Sequence, residues 1–403
     1  MGQVKGGSRG LILGVEKAVK RIRVLHVIKN FNLGGAETNL LNLIKASDPA
    51  KLELHVAFSG GGEIEQRFRQ ENLNLFQYAT SDHKIGSVAT FGIVSRIARY
   101  LRTHQIDVVH THNFNAHVWG SLAAKWARKK LVEHVHDYRY LEVGEFHRRK
   151  GEVSQFRFIR YFKRWPDRVI VLTHQNVDYL LSHGYGPVSR IREIRNGIPM
   201  KTSEPADPRQ TRLSLGLDEN DRVILTPARV SPEKNIELVL RIAPHVVQEV
   251  PRARFVISGE GPQLVSLKAA ARMAGLEKSV VFTGYRPDIQ GLLAVADVFL
   301  LPSFLELHSI AILEALSMGV PVVVSRDVGC NSDVLRDGYN AFLLDPFSSV
   351  GWAETLVRLL KDEELRRMAG QRGYELCRKE FDIANVADKF EDLYQELVTK
   401  DGG

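Results

Sequence analysis

Two glutamates stand eight residues apart within residues 302–325, where an apolar run passes into a short polar loop and then a helical pattern. Glu306 falls in the predicted loop and Glu314 in the predicted helix, which is expected to begin with Ser309 as its N-cap. The backbone amides of Ser309 and Ile310 at this helix start form a site for an anion, above all phosphate. A carboxylate beside a phosphate site suits hydroxyl groups such as those of ribose. Taken alone, the pair is also explained by a solvated helix face.

A cationic pair occurs in the sequence ARVSPEKN, which follows a predicted strand at 222–228 and precedes a predicted helix at 236–250. Arg229 offers a planar fork of donors and Lys234 a point charge, which together suit a diphosphate at the carboxyl end of a strand. The alternative is a solvated loop whose Ser231 and Pro232 begin the helix.

Histidines cluster at the ends of two predicted strands. The ring of His136 could hydrogen-bond a hydroxyl or take part in proton transfer, whereas a satisfied core histidine is the alternative. His110, His112 and His134 are nearby, but no acidic ligand set accompanies them and no Asp-x-Asp occurs in the chain. We therefore predict no metal and no cofactor.

Three turns after predicted strands complete the candidate site. Gly34 and Gly35 follow the first strand, and Gly259 follows the strand at 254–258. Glycines there let backbone approach a sugar or phosphate closely, and a helix cap or a tight turn is the alternative. Tyr285 and Arg286 follow the strand at 280–283, where an ordinary strand-end turn is the other interpretation.

In combination these motifs resemble the retaining nucleotide-sugar glycosyltransferases of family 4, which have the GT-B fold. The similarity comprises Glu-x7-Glu in its strand–helix–strand unit, the Arg-x4-Lys spacing, the glycine loop, the strand-end histidine and a terminal helix after Phe381-Asp382-Ile383. It extends over roughly residues 21 to 397, and the short motifs arrive in the family's order.

The resemblance implies a role for each matched position. The catalytic positions would be His136, Glu306, Arg229 and Lys234. The donor-binding positions would be Gly34, Gly35, Gly259, Tyr285, Arg286, Ser309, Ile310 and Glu314. The cations and the helix-start amides would stabilise the departing nucleotide diphosphate, and the turn at 285–286 would contact the base. Glu314 would hold the ribose, Glu306 the donor sugar and its oxocarbenium-like centre, and His136 the sugar from the opposite domain.

One position departs from the family. Where the family has Glu-Gly-Phe-Gly or Glu-Gly-Phe-Ser, this chain has Glu306-Leu307-His308-Ser309. Leu307 replaces a glycine whose missing side chain leaves room near the donor sugar. Either the backbone avoids positive φ at this position, or the pocket is narrowed.

Strand and helix patterns alternate in two series, which predicts an α/β fold. We expect two Rossmann-like, doubly wound parallel-sheet domains that face each other across a cleft, the GT-B arrangement that the resemblance implies. Residues 191–209 contain Asn-Gly and three prolines with little periodicity and separate the two series. We assign residues 1–196 to an N-terminal acceptor domain and 197–380 to a C-terminal nucleotide-sugar-binding domain. Residues 381–403 are expected to pack back on the first.

Composition and charge indicate a globular protein with a basic surface. The 403 residues are 44% hydrophobic with net charge +8, and the two cysteines fit a reducing cytoplasm. Residues 125–168 hold 13 lysines and arginines against 6 acidic residues, an excess of seven. Their alternation with aromatic residues predicts an amphipathic helix whose basic face is either solvated or docks on anionic lipid or an anionic acceptor. Nucleic acid is not expected, since no binding motif accompanies the charge.

No apolar stretch is long enough to span a bilayer, and an early LILGV is too short for a signal peptide. The expected location is therefore the cytoplasm, with peripheral attachment at the inner face of the membrane. The predicted function is retaining transfer of a hexose from a nucleotide-diphosphate sugar, with uridine favoured by family frequency. A glycan or lipid-linked glycan is the expected acceptor, in cell-surface polysaccharide biosynthesis.

Two other functions remain open from the sequence. A nucleotide-sugar epimerase or hydrolase could use the same fold. A catalytically silent nucleotide-sugar-binding scaffold is made conceivable by Leu307. A dehydrogenase is disfavoured because no Gly-x-Gly-x-x-Gly opens either domain.

Overall fold

The computed structural model of the protein describes residues 21–32, 34–80, 88–112, 114–136, 164–182, 184–200 and 207–399. Over these residues the chain forms two parallel β-sheets, and apolar clusters cover both faces of each. The predicted fold class, α/β with two doubly wound parallel sheets, is confirmed.

The first sheet has seven parallel strands in the order β3-β2-β1-β4-β5-β6-β7. Its central strands are buried on both faces, which explains why they read as nearly continuous apolar runs. The strands are β1 (Ile22–Val27), β2 (Leu52–Phe58), β3 (Asn74–Gln77), β4 (Val108–His112), β5 (Lys130–His134), β6 (Arg168–Val171) and β7 (Ile191–Glu193). The helices are α1 (Gly35–Ala46), α2 (Glu65–Arg69), α3 (Val88–Thr103), α4 (Phe114–Ala127) and α5 (His174–Ser182).

The second sheet has six parallel strands in the order β10-β9-β8-β11-β12-β13. The strands are β8 (Arg222–Pro227), β9 (Ala253–Ser258), β10 (Val280–Gly284), β11 (Val298–Leu301), β12 (Val322–Ser325) and β13 (Phe342–Leu344). The helices are α6 (Pro208–Ser214), α7 (Ile236–Glu249), α8 (Leu264–Met273), α9 (Ile289–Ala294), α10 (Ile310–Ser317), α11 (Asn331–Val334), α12 (Trp352–Lys361) and α13 (Glu363–Glu380).

The last helix, α14 (Ile383–Thr399), returns to the first sheet. Its buried Phe390 and Tyr394 pack in one apolar cluster with Val24 of β1, Val108 of β4 and Val132 of β5. The first sheet is therefore covered on one face by the end of the chain.

The chain crosses between the two sheets at two places that touch each other. The amide of Ile198 donates to the carbonyl of Phe381 at 2.9 Å, and the amide of Ile383 donates to the carbonyl of Ile198 at 3.0 Å. Gly197 allows this contact, because a Cβ there would lie 3.0 Å from the Cα of Ile383. The two crossings thus form one paired connection.

Two short strands were not expected from the sequence. Asn74–Gln77 forms β3, and Ile191–Glu193 forms β7 inside the stretch that we interpreted as a linker. Both lie at the edges of the first sheet, where strands of three or four residues show too little alternation to be recognised.

Candidate active site

Both sheets reverse their strand order beside a central strand, between β1 and β4 in the first and between β8 and β11 in the second. Open α/β sheets bind ligands outside the carboxyl ends of the strands at such points. The glycine loop follows β1, the loop with Arg229 and Lys234 follows β8, and the loop with Glu306 follows β11. Most predicted site residues therefore lie where such folds bind ligands.

Lys234 and Glu306 form an ion pair between two of these loops. The Nζ atom of Lys234 lies 2.5 Å from Oε1 of Glu306, which also accepts a hydrogen bond from Ser303 Oγ at 3.0 Å. Both side chains are largely buried, with 20% and 10% exposure. The sequence had placed the two residues in the same site, but it gave no indication that they are paired.

Backbone hydrogen bonds hold the two loops together. The amide of Phe304 donates to the carbonyl of Glu233 at 2.8 Å. The side chain of Asn235, whose backbone is left-handed at φ 52°, donates to the carbonyl of Pro302 at 3.1 Å. The ion pair of Lys234 with Glu306 therefore rests on a fixed backbone frame.

The side chain of Arg229 is exposed and makes no hydrogen bond or ion pair with the described residues. The shape of its loop depends on Gly259, since a Cβ there would lie 2.0 Å from the carbonyl oxygen of Ala228. Gly259 also has φ 152°, a conformation that other residues rarely adopt. The absence of a side chain at Gly259 thus lets the loop that carries Arg229 pack closely on the end of β9.

The start of α10 matches the expected anion site in its geometry. Ser309 is the N-cap, but its side chain makes no capping hydrogen bond. The first bond of the helix runs from the amide of Leu313 to the carbonyl of Ser309 at 3.3 Å. The earlier amides, including those of Ser309 and Ile310, have no acceptor within the helix and can donate to a ligand.

Glu314 lies one turn into α10, and its carboxyl makes no hydrogen bond among the described residues. Burial raises its pKa to about 7, and the charge of Arg67 in the first domain lowers it by a smaller amount. The carboxyl of Glu314 therefore changes charge near neutral pH. A ligand that binds its ionised form would bind more weakly as the pH falls.

The glycine loop lies across from this helix start. A Cβ placed on Gly35, the first residue of α1, would be 3.8 Å from Cγ1 of Ile310. Gly34 is the N-cap of α1 and has extended backbone at φ −154°. The two domains therefore approach each other where the predicted diphosphate site lies.

Tyr285 and Arg286 occupy the end of β10, two strands away from β8. Arg286 is engaged by Asp288, with 2.6 Å between Nη2 and Oδ2, and it also donates to Ser214 Oγ. Tyr285 is exposed, at 41%. The amide of Tyr285 donates to Oε1 of Glu260 at 3.3 Å, so this turn lies beside the loop after β9.

The backbone conformation of Leu307 decides between the two possibilities that follow from a leucine where the family has glycine. Leu307 is not among the residues with positive φ, and its side chain is buried at 9% exposure. Its carbonyl accepts a hydrogen bond from the amide of Cys330 at 2.9 Å, and a Cβ on Gly329 would lie 2.3 Å from that carbonyl oxygen. The first possibility holds, because the chain avoids the conformation that would require glycine.

His308 was not among the predicted site residues, yet it joins this loop to the crossing between the domains. Its Nδ1 accepts a hydrogen bond from the amide of Asn196 at 3.0 Å, and the side chain of Asn196 donates to its carbonyl at 2.8 Å. The ring packs on Phe381, and burial lowers its pKa to about 3. The only signal in the sequence was that a histidine replaces the family's phenylalanine.

His136 is the outermost member of a hydrogen-bonded chain of three histidines. Its Nε2 lies 2.9 Å from Nδ1 of His112, whose Nε2 lies 3.0 Å from Nδ1 of His26. His110 and His134 stack beside them. The spacing His110-x-His112 and His134-x-His136 was the sequence signal, since alternate residues of neighbouring strands share a face.

Burial lowers the pKa of each of these imidazoles, to about 3 for His26 and His136 and well below 6.5 for the others. Two sets of three have ring nitrogens within 4.8 Å of one another and could hold a metal ion. Both sets include His112, whose two nitrogens already take part in hydrogen bonds. The chain of hydrogen bonds accounts for their closeness without an ion, and the predicted absence of a metal stays a prediction.

Most of the basic segment, including Arg157, Arg160 and Lys163, lies outside the described residues. Its described ends border a cavity of about 590 Å³ lined by Lys125, Arg128, Lys129 and Trp165. This cavity lies at the amino ends of β4 and β5, the edge opposite the candidate active site. In the part of the chain that the structure describes, no helix is both long and apolar enough to cross a bilayer.

Two family models match the chain, one for each half. The model described as Glycosyltransferase Family 4 matches residues 33–201, and the model described as Glycosyl transferases group 1 matches residues 208–376. Together they include every strand of the two sheets except β1.

Similar proteins and structures span nearly the whole chain. An Escherichia coli UDP-Gal:alpha-D-GlcNAc-diphosphoundecaprenol alpha-1,3-galactosyltransferase is 26% identical over 389 residues, which is 94% of this chain and 98% of that protein. A Bacillus anthracis N-acetyl-alpha-D-glucosaminyl L-malate synthase is 25% identical, covering 81% of this chain and 82% of its own. The crystal structure of Anabaena HepE with UDP and glucose superposes with a TM-score of 0.79 at 22% identity, covering 93% of this chain and 100% of that one.

Proposed function

Because the chain belongs to the family 4 glycosyltransferases and has their GT-B fold, we propose that it transfers a hexose from a UDP-sugar to a glycan or lipid-linked glycan, with retention of the anomeric configuration. Glycosyl transfer is the activity of the family. The donor, the stereochemical course and the role in cell-surface polysaccharide biosynthesis are the proposed parts.

The pairing of Lys234 with Glu306 beside the start of α10 is the observation that carries this proposal. The pair places a cation, a carboxylate and a helix N-terminus at one switch point of the second sheet. A diphosphate attracts the first and the third of these groups, whereas a sugar ring offers hydroxyls to the second. A nucleotide sugar is the ligand that brings both chemistries together.

The proposed reaction begins when the diphosphate of the donor competes with Glu306 for Lys234. Arg229, Lys234 and the amides at the start of α10 then stabilise the negative charge that grows as the bond to the sugar breaks. Release from Lys234 leaves Glu306 able to accept hydrogen bonds from sugar hydroxyls and to face the positive charge at the anomeric carbon. The acceptor hydroxyl attacks from the leaving-group side and passes its proton to the departing diphosphate oxygen, so no covalent intermediate with the enzyme forms.

Glu314 holds the ribose in this proposal, and the turn at Tyr285 and Arg286 contacts the base. Uridine is supported by the UDP-galactose named for the Escherichia coli relative and by the UDP bound in the Anabaena structure. The lipid diphosphate named for the same relative supports a lipid-linked acceptor. Attachment to the cytoplasmic face of a membrane through the basic segment would bring the enzyme to such an acceptor.

Thermal stabilisation by donors tests the nucleotide. We would measure melting temperatures with UDP, GDP, ADP and NAD and with the common nucleotide sugars, using Glu314→Ala as the control. Ligand at 100 times its Kd adds about 2.7 kcal/mol to the free energy of unfolding. We expect a shift with UDP and one UDP-sugar that the variant loses. A shift with another nucleotide alone would overturn the choice of uridine.

Product analysis then tests the reaction. The stabilising donor is incubated with undecaprenyl-diphosphate-linked sugars, and the anomeric configuration of the product is read by NMR. An α-linked product from an α-linked donor supports retention, and an inverted product contradicts it. Epimerised or hydrolysed donor without any need for acceptor would indicate the epimerase or hydrolase instead.

Transfer is also proposed to be independent of a metal. Lys234, Arg229 and the helix start together supply the positive charge that a divalent cation provides in other transferases. Activity should therefore persist in EDTA, and a loss that magnesium or manganese restores would refute this part of the proposal.

A further inference from the structure

The three histidines His26, His112 and His136 connect the core of the first domain to the carboxyl edge of its sheet. The N···N distances of 3.0 and 2.9 Å are those of hydrogen bonds between imidazole rings. His26 and His112 are buried, with 1% and 2% exposure, whereas His136 is partly exposed. The Nδ1 atom of His136, its remaining ring nitrogen, has no partner among the described residues.

Because burial keeps these rings neutral near pH 7, each carries one proton on one of its two nitrogens. Every N···N pair then needs one donor and one acceptor, which leaves only two arrangements for the whole chain. In the outward arrangement each Nδ1–H donates to the next Nε2, and His136 ends with a proton on Nδ1. In the inward arrangement every bond is reversed, and His136 presents a lone pair at Nδ1.

The inner end of the chain distinguishes the two. Nε2 of His26 is buried and has no hydrogen-bond partner among the described residues. The outward arrangement leaves a lone pair at this atom, and the inward arrangement leaves an N–H. A buried N–H without an acceptor is rarer in proteins than an acceptor without a donor, which favours the outward arrangement.

The neighbouring groups do not supply the missing acceptor. His110 Nδ1 is paired with the hydroxyl of Tyr394 at 2.6 Å, and its Nε2 has no partner. Both ring nitrogens of His134 also lack a partner among the described residues. Within this cluster, the hydrogen bonds between imidazole rings therefore join His26 to His112 and His112 to His136.

We propose that His26 and His112 are positioning residues that hold His136 in the tautomer with its proton on Nδ1, so that His136 offers the donor sugar a hydrogen-bond donor and not a proton acceptor. The tautomer follows from the hydrogen bonds among the three histidines together with the unpartnered Nε2 of His26. Its use in binding a sugar hydroxyl rests on the proposed function.

Nitrogen NMR of the ligand-free enzyme tests the tautomer directly. Long-range proton–nitrogen correlation spectra of protein with 15N-labelled histidine distinguish protonated from unprotonated ring nitrogens, and His136→Gln identifies the signals of His136. We expect a protonated Nδ1 and an unprotonated Nε2 at pH 7.5. The opposite pattern, or an even mixture, would overturn the proposal. Since no donor or acceptor is added, absence of glycosyl transfer would leave this result unchanged.

Substitution of His26 tests the positioning role. His26→Leu removes the innermost donor, so the His136 signals should move toward a mixture of tautomers and kcat/KM for the donor should fall about tenfold. In His26→Asn the amide nitrogen takes the place of Nδ1 and should restore both the spectrum and most of the activity. His55→Leu, which removes a buried histidine bonded to Tyr100 and Glu53, is the matched control.

An unchanged spectrum and unchanged kcat/KM in His26→Leu would refute the positioning role. If that variant does not fold, the tautomer in the wild-type spectrum still decides the proposal. A loss of activity of the same size in His55→Leu would show that any buried histidine has this effect.

Discussion

The imidazole of His308 accepts a hydrogen bond from the backbone amide of Asn196, with 3.0 Å between Nδ1 and N. Asn196 belongs to the crossing between the two domains, and His308 belongs to the loop that carries Glu306 and Ser309. The side chain of Asn196 returns a second hydrogen bond to the carbonyl of His308 at 2.8 Å. The loop that carries Glu306 and the connection between the domains are therefore one hydrogen-bonded unit.

Replacing His308 by phenylalanine should remove the hydrogen bond between its ring and the amide of Asn196, while an aromatic ring still packs against Phe381. The amide of Asn196 would lose its acceptor, which should cost about 1–3 kcal/mol in the free energy of unfolding. Urea unfolding of His308→Phe, Asn196→Ala and the double variant measures the coupling, which should be at least about 0.5 kcal/mol. Strictly additive losses would show that the two residues act independently.

Lys234→Ala should lower kcat more than it raises the Kd for the donor. The lysine is held by Glu306 before the donor binds and gains most as charge grows on the leaving diphosphate, so a loss of about 100- to 1000-fold in kcat is expected. Steady-state kinetics and donor titration provide the two values. Lys361→Ala, which removes an exposed lysine paired with Glu249, is the control. An unchanged kcat with only a raised KM would rule out the role in the transition state.

Donor binding should weaken below pH 7 through Glu314. Burial raises its pKa to about 7 in the unliganded enzyme, and ribose hydroxyls hydrogen-bond best to the ionised carboxylate. Below this pH a proton must first leave, so the Kd for a nucleotide sugar should rise by up to about tenfold per pH unit. Titration calorimetry between pH 8 and 5.5 measures this. Glu314→Gln should bind more weakly at all pH values, and an equally steep pH dependence in that variant would exclude Glu314 as its cause.

The buried histidines should make the fold unstable in mild acid. The pKa of His26, His117, His136 and His308 is lowered to about 3 from 6.5. Their contribution is fully present above pH 6.5 and is lost as the pH falls toward 3, because the unfolded chain binds protons that the folded state excludes. Each contributes a slope of up to about 1.4 kcal/mol per pH unit.

Glu314 has the opposite effect on the free energy of unfolding. Because its pKa is raised, the folded state binds a proton at a higher pH than the unfolded chain does, which stabilises the fold as the pH falls. The net slope should still reach at least about 3 kcal/mol per pH unit between pH 6 and 5. Urea unfolding over this interval, above the range in which ordinary carboxyls titrate, provides the measurement. A flat free energy of unfolding from pH 7 to 5 would contradict it.

Binding to anionic membranes should depend on the cavity at the amino ends of β4 and β5. Changing Lys125, Arg128 and Lys129 to glutamate reverses three charges there, and sedimentation with phosphatidylglycerol vesicles should show most of the binding lost. The control is the same change at Lys268, Arg272 and Lys278, three exposed cations on and after α8. Equal vesicle binding by both triple variants would show that the residues around this cavity do not bind the membrane.

The sequence predicted the two sheets because their central strands are buried on both faces and read as apolar runs. The strand predicted at 222–228 was recognised for this reason, and the structure has it at Arg222–Pro227. The edge strand Ile191–Glu193 was missed, since three residues with one face partly open carry almost no pattern. Its pairing with β6 is decided by tertiary contacts that no local window contains.

The site was predictable where its chemistry comes from residue type and spacing, as for Glu306, Glu314 and the start of α10. Contacts between distant segments were not. Asn196 and His308 are separated by 112 residues, and His26 and His112 by 86. Only the folded chain shows that these buried polar groups hydrogen-bond to one another.

The return of α14 to the first sheet has a consequence for biosynthesis. The apolar face formed by Val24, Val108 and Val132 is covered by Phe390 and Tyr394, which leave the ribosome nearly 300 residues after Val108. The N-terminal half cannot complete its core while the rest of the chain is being made, although domains usually fold in the order of their synthesis. We therefore expect this exposed face to bind chaperones until α14 emerges, and a premature stop anywhere before residue 383 should leave it uncovered.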